Sequence, residues 1–251
     1  MQNRWIAGQV GKVDANVRLF CFGHAGSGGA FFYPWKTPHL PEIEVCPVVL
    51  PGREMRLGEE PYTRVEQVIE PLFSALLPLT GKPFALFGHS VGAVIAYELA
   101  RRFTSSYVPA PLCLFVSGRR APRLPARRQP FFGLPDHEFL ATVSRMNGMR
   151  SELLEYPEVL QLFLPSLRAD FEINDTYAFL PGPRLSCPVF AFVGDRDGEV
   201  YPTEMSDWAE VTSNQFMLRV FPGDHFYHKD APPALLSAIR QSIHQTALHL
   251  Q

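Results

Sequence analysis

Apolar residues fall along this chain in two alternating rhythms. Short runs rich in β-branched and aromatic side chains predict buried strands at Val17 to Phe22, Val45 to Leu50, Phe84 to Phe87, Leu112 to Val116, Val189 to Val193 and Phe216 to Phe221. Between them, apolar positions recur three and four residues apart. One such stripe runs from Val65 to Leu77 and contains Pro71, one comprises Val91, Val94, Ile95, Leu99 and Phe103, and one comprises Leu235, Ile239 and Ile243. Helices with a single apolar stripe, interleaved with strands that are apolar throughout, predict an α/β fold with a mostly parallel sheet covered on both faces.

The interleaving stops between Ala121 and about Ser186. Pro122, Pro125, Pro130 and Pro135 crowd the start of this stretch and force irregular backbone. Two helical patterns follow, PDHEFLATVSRM and YPEVLQLFLPSLRADF, with no convincing strand. The chain thus divides into a core made of residues 1–120 and 187–251 and an inserted helical lid at residues 121–186. The lid is expected to be mobile and to cover the sheet between Phe131 and about Phe179. Phe131, Phe132, Phe139, Met146 and Met149 either line its underside or fill its own core.

Composition narrows the function classes. A formal net charge of -2 leaves no broad basic field for neutralising phosphates, so nucleic acid is not an expected partner. The four cysteines lack C-x-x-C spacing and sit in or beside apolar runs, which predicts reduced core residues and no zinc site. The N-terminal residues lack the pattern of a signal peptide, and no apolar run approaches the roughly 20 residues that span a bilayer. A cytoplasmic protein without membrane contact is expected.

The chemistry starts at Gly88-His89-Ser90-Val91-Gly92, a G-x-S-x-G pattern between a predicted strand, PFALF, and a predicted helix, VGAVIAYELARRF. In that context the serine stands on a sharp strand-to-helix turn as an exposed nucleophile. A hydroxyl is a poor nucleophile near neutral pH, so a base must take its proton and a carboxylate must orient the base. The expected chain order is serine, acid, histidine. His225, a short turn beyond the last predicted strand, is the candidate base, with His228 as the neighbour that packs or faces solvent. His89 points away from the nucleophile, and His137, His244 and His249 read as helix-surface residues.

Val189 to Val193 runs into Gly194-Asp195-Arg196-Asp197-Gly198, and either aspartate is placed to orient His225. The preceding strand ends in Ser117-Gly118-Arg119-Arg120 and offers no carboxylate. An oxyanion would be held by the Val91 amide and by one from the loop at Gly23 to Gly29, where Ala25 is favoured. That loop has neither G-x-G-x-x-G nor G-K-[ST], which argues against a phosphate site. No metal or organic cofactor is called for.

Seven segments spread over nearly the whole chain, FGHAGSGGAFFYPW, LPGREMRLGEEP, FGHSVGA, SGRRAP, LPSLRADF, GDRDG and VFPGDHFYH, resemble the type II thioesterases of polyketide and nonribosomal peptide synthesis. LPGREMRLGEEP and SGRRAP are the most specific of them. The resemblance implies an α/β-hydrolase fold, a triad of Ser90, Asp197 and His225, and a flexible helical lid. It also implies hydrolysis of acyl groups from the phosphopantetheine arm of acyl or peptidyl carrier proteins. Gly23 and Ser27 depart from the family's usual P-H-A-G-G loop, and Asp224 stands where glycine is common. Synthase-terminal relatives commonly carry their acid after the strand that here ends in SGRR, so the chain looks like the free-standing editing type.

Two other readings share these residues. One is a carboxylesterase or lipase acting on small free esters. The other is a catalytically silent hydrolase-fold protein that binds a small molecule or a partner. Arg119, Arg120, Arg123, Arg127 and Arg128 lie within ten residues at the lid entrance. They either steer an acidic carrier protein or pair locally.

Overall fold

The computed structural model describes residues 3–146 and 156–248. Six strands, β1 (Val17–Phe22), β2 (Ile43–Pro47), β3 (Phe84–His89), β4 (Leu114–Ser117), β5 (Val189–Gly194) and β6 (Phe216–Phe221), form one sheet in the order β2-β1-β3-β4-β5-β6. Every neighbouring pair is parallel. The chain steps outward from β1 to β2, then returns to lay β3 on the other side of β1. The carboxyl ends of β1 and β3 therefore flank a topological switch point, where open α/β sheets bind ligands.

Side chains alternate across the sheet with the period of two that strands impose. Phe20 and Phe22 pack towards α1 (Val65–Leu76) and α2 (Val91–Thr104), among Leu72, Val94 and Leu99. Leu19 and Cys21 pack on the opposite face, against Leu235 and Ile239 of α6 (Pro233–Leu248) and against Phe32 and Trp35 of a 3-10 segment, Gly29–Trp35. The four cysteines are buried thiols in these two layers.

Two strands differ from their sequence pattern. β2 lies nearer the N-terminus than the apolar run Val45 to Leu50, because Pro47 brings no N–H to the ladder and Val48 pairs instead with Ile6 in an isolated antiparallel bridge. β6, at one edge of the sheet, is only half-buried, whereas β2 at the other edge is buried throughout.

Between β4 and β5 the chain forms α3 (Asp136–Arg145) and α4 (Pro157–Thr176), and after β5 the single-turn α5 (Pro202–Ser206). Phe131, Phe139, Leu140 and Val143 join Leu167 and Phe171 of α4 in a small apolar cluster separate from the two sheet layers. Phe131 and Phe171 meet with ring centroids 4.9 Å apart. Phe131 and Phe139 thus belong to the core of this segment, and Phe132 packs against the same cluster. Met149 and His249 lie outside the described residues.

Candidate active site

Ser90 sits between β3 and α2 with φ 56° and ψ −122°. A non-glycine residue in such a conformation carries roughly 1–3 kcal/mol of strain, which the surroundings must over-determine. They do so through backbone. The Ser90 N–H donates to the Ser117 carbonyl at 2.9 Å, and the Ala93 N–H donates to the Ser90 carbonyl at 3.0 Å. A Cβ on Gly88 would lie 2.1 Å from the Gly92 carbonyl oxygen, and one on Gly92 would lie 2.4 Å from that of Phe22. Close approach of backbone explains both glycines.

Beyond β6, Gly223 adopts φ 136° and the Asp224 carboxylate accepts the Phe226 N–H at 2.8 Å, closing the turn that presents His225. Asp224 therefore acts on this turn, which is what its side chain does in place of the family's common glycine. His225 Nδ1 lies 2.9 Å from Asp197 Oδ2. The other Asp197 oxygen accepts the N–H groups of Glu199 and Val200 at 2.8 and 3.1 Å, and the side chain is fully enclosed. Both oxygens are satisfied, as a buried carboxylate requires. Asp195 is half-exposed and turns elsewhere, accepting the Gly223 N–H at 2.8 Å and so tying the end of β5 to the His225 loop. Of the two aspartates, Asp197 reaches the histidine.

Ser90, His225, Ala25 and Val91 line one cavity of about 180 Å³, bounded on the lid side by Met146 and by Phe171 and Asn174 of α4. In the loop after β1, the Gly26 N–H is taken by Asp170 at 2.8 Å and the Ser27 N–H by the His24 carbonyl at 3.0 Å. Among those three amides, only that of Ala25 is left without an acceptor in the described residues.

Two features escaped the sequence reading, and a third bears on an alternative it left open. The first is a group of histidines around His225. His89 stacks on His228 at 3.7 Å, His225 lies 4.7 Å from His89, and His24 lies 5.9 Å from His228. Burial lowers the pKa of His24 to about 3 and those of His89 and His228 well below the usual value, with the other histidines adding to the effect. These three are therefore neutral near pH 7. His89 is held by a chain running from its Nδ1 to Ser117 Oγ at 2.8 Å and on to the Tyr227 hydroxyl at 2.6 Å. The sequence signal was available, because His24 and His228 follow β1 and β6 closely and His89 ends β3.

The second is an ion pair joining three segments. Arg53, in the loop after β2, donates through Nη1 and Nη2 to Asp170 of α4, both at 2.8 Å, and Nη1 also reaches the Ser27 carbonyl at 3.0 Å. Asp170 in turn holds the Gly26 N–H. Both side chains are nearly fully buried, and Leu167 of α4 packs over Gly26 so closely that a Cβ there would lie 2.8 Å from its Cδ1. The lid helix is bolted at this point to the loop that carries Ala25.

The third concerns the arginine run, which resolves into separate roles. Arg120 and Arg127 share Glu204 at 2.6 and 2.5 Å, Arg128 meets Glu199 at 3.0 Å, and Arg123 meets Glu210. Arg119 has no carboxylate partner among the described residues and donates to Asn174 Oδ1 at 2.6 Å.

Fold and cavity together define the class, an α/β-hydrolase with a serine at its elbow and a histidine–carboxylate pair beside it. The chain belongs to the thioesterase domain family, whose model matches residues 17–243. It is similar to the gramicidin S biosynthesis protein GrsT of Aneurinibacillus migulanus, 39% identical over 225 residues that cover 90% of this chain and 88% of that protein. Among solved structures it is similar to BorB, the type II thioesterase from the borrelidin biosynthetic cluster. The TM-score is 0.85 and the identity 33%, over 97% of this chain and 98% of that one. RedJ, a thioesterase from the prodiginine pathway in Streptomyces coelicolor, gives a TM-score of 0.84 at 35% identity, over 91% of each chain. Among the described residues no helix is long and apolar enough to cross a membrane, and no group of three or more His, Cys, Asp or Glu side chains is arranged to hold a metal ion.

Proposed function

We propose that this chain hydrolyses acyl thioesters borne on the phosphopantetheine arm of acyl or peptidyl carrier proteins. Its service would be the editing of stalled or mis-primed chains in a cytoplasmic polyketide or nonribosomal peptide pathway. The observation that carries the mechanism is the bond of the enclosed Asp197 carboxylate to Nδ1 of His225, a ring that lines the same cavity as the strained Ser90. Membership of the thioesterase domain family supports the choice of substrate bond.

Asp197 accepts a hydrogen bond from the Nδ1–H of His225, which stays on the ring and leaves Nε2 as the basic nitrogen. Ser90 Oγ attacks the thioester carbonyl while its proton passes to His225 Nε2. The carbonyl oxygen becomes an oxyanion held by the Val91 and Ala25 amides. The Val91 amide opens α2, whose positive end favours a developing negative charge. The C–S bond breaks, the departing sulfur takes the proton from His225, and the acyl group remains on Ser90. Water then gives a proton to Nε2 as its oxygen attacks the ester, and collapse returns that proton to Ser90 Oγ with release of the acid.

Ser90 and His225 line the same cavity without a hydrogen bond between their side chains among the described residues, and the mechanism requires that bond to form in the substrate complex, where catalytic hydrogen bonds commonly tighten. The test is turnover of an acyl group loaded on a carrier protein, with mass detection of the intermediate on Ser90. Hydrolysis without that adduct, or loss of activity towards carrier thioesters with retained turnover of free esters, would overturn the proposal.

A further inference from the structure

We propose that Ser117 is a positioning residue for the triad, its carbonyl holding the main chain of the nucleophile while its hydroxyl holds the base through His89 and Tyr227. This rests on the serine-hydrolase reading and adds a residue to the working parts of that site.

Ser117 ends β4, which lies between the strand that delivers Ser90 and the strand that delivers Asp197. On the β3 side its carbonyl accepts the Ser90 N–H at 2.9 Å, and on the β5 side the next amide, that of Gly118, donates to the Phe192 carbonyl at 3.0 Å. The residue is fully buried. Its main chain is therefore part of the sheet, and the backbone of Ser90 is fastened to it.

The hydroxyl ties the same residue to the His225 loop. Ser117 Oγ lies 2.6 Å from the Tyr227 hydroxyl, two residues beyond His225. Burial raises the Tyr227 pKa well above its usual value and the Asp197 carboxylate pushes the same way, so the phenol stays a neutral hydroxyl. Its ring stacks on Phe221 at the end of β6, 5.4 Å between centroids. Tyr227 is held to β6 by its ring and to β4 by its oxygen, and His225 lies in the span between Phe221 and Tyr227.

His89 is the second arm. Its Nδ1 lies 2.8 Å from Ser117 Oγ, and its ring lies 4.7 Å from that of His225. Both rings crowd Gly118, where a Cβ would stand 2.5 Å from His89 Cε1 and 3.1 Å from His225 Cε1. The His225 imidazole thus packs beside a ring that the Ser117 hydroxyl holds in place. Ser90 and His225 share no side-chain hydrogen bond among the described residues, so their separation is set from behind, by Ser117, until substrate brings them together. Removing Oγ strands two buried polar groups, the Tyr227 hydroxyl and His89 Nδ1, and lets both turn away from β4.

The experiment measures kcat and KM on one acyl-pantetheine thioester. Beside it run the rate and the end point of Ser90 labelling by a fluorophosphonate, a reagent that needs an activated serine but carries no thiol arm. Ser117→Ala should lower kcat about tenfold to a hundredfold with KM within about threefold of wild type, the signature of a misplaced catalytic group. Labelling should slow by a like factor and still reach completion. Ser117→Thr, which keeps the hydroxyl, should recover kcat to within about fivefold of wild type. Tyr227→Phe, which cuts one arm and leaves the other, should fall between Ser117→Ala and wild type.

A Ser117→Ala variant with kcat within about threefold of wild type would overturn the inference. So would a loss carried by KM with kcat intact, which would assign Ser117 to substrate binding, and so would equal losses in Ser117→Ala and Ser117→Thr. Should either variant fail to fold, seen as an incomplete labelling end point, Tyr227→Phe decides: a fall in kcat at constant KM supports the inference, and wild-type kinetics overturn it. Wild-type protein that is labelled at Ser90 yet hydrolyses no thioester would overturn the thioesterase reading, and the labelling rates of the same variants would still decide the role of Ser117.

Discussion

The carboxyl end of the sheet and the lid helices meet at one cavity, yet they are held there by different kinds of bond. At the sheet end, Ser90 and Asp197 are fixed largely by backbone. Strand register, amide-to-carbonyl bonds and glycine approaches closer than 2.6 Å to a virtual Cβ leave those residues little room to move. On the lid side, position depends on side chains: a small aromatic cluster, the Arg53–Asp170 pair, and single contacts such as Arg119 to Asn174. The triad, whose geometry tolerates little displacement, stands on the rigid part, while the opposite wall of the cavity can be altered one side chain at a time.

The sharpest break of this comparison lies in the two aspartates after β5. Asp197→Asn should lower kcat by about 10⁴ because the imidazole loses its orienting acceptor. Asp195→Asn removes only a turn contact and should cost less than about tenfold. Steady-state rates on one thioester, with melting temperatures as control, separate the two, and the reverse ranking would move the acid to Asp195.

Next in size is the bolt between the regions. Asp170→Ala strands the buried Arg53 charge and releases the Gly26 amide, so a stability loss of about 3–5 kcal/mol is expected in urea melts. It should carry with it a kcat reduction of about tenfold to a hundredfold, since the Ala25 loop loosens. Unchanged turnover would show that the loop is held without the lid. Phe139→Ala, within the lid's own cluster, should cost about 3 kcal/mol. Hydrogen exchange should quicken in α3 and α4 while β3 and β5 keep their protection.

A smaller effect comes from the histidines. His24, His89 and His228 bind protons less readily folded than unfolded, where the value is 6.5. Between that pH and about 3, the folded value for His24, the unfolded chain holds more protons. Stability is therefore fully present above 6.5 and falls as the pH drops, by at most about 1.4 kcal/mol per pH unit for each histidine. Melts between pH 7.5 and 5 should show this slope, and His228→Phe should reduce it.

The smallest effect expected is that of Arg123→Ala, Arg127→Ala and Arg128→Ala combined. Because all three are paired locally, carrier-protein hydrolysis should change by less than about threefold, with little response to salt. A larger, salt-dependent loss confined to the carrier substrate would show that these arginines also steer the partner.

Strand–helix alternation, the Ser90 elbow and the position of His225 were legible because each depends on local pattern: runs of period two or 3.6, and glycines where backbones cross. The choice between Asp195 and Asp197 was not. The two differ by two residues in one turn, and only the way that turn folds back aims one carboxylate at the His225 ring and the other at the Gly223 amide. Phe131 and Phe139 were equally open, since an aromatic stripe is the same in sequence whether it faces a cavity or another helix.

The arginine run shows the division most plainly. Sequence alone established a dense positive segment beside the lid, but charge is cancelled by neighbours in space. Glu199, Glu204 and Glu210 come from beyond β5, and Asp170 meets Arg53 across 117 residues of chain. Local propensity and covalent order determined the layers, the strand order's raw material and the identity of the nucleophile. Tertiary structure decided which charges are matched and which aspartate reaches His225, because electrostatic pairing acts through distance in the folded state and leaves no periodicity in the chain.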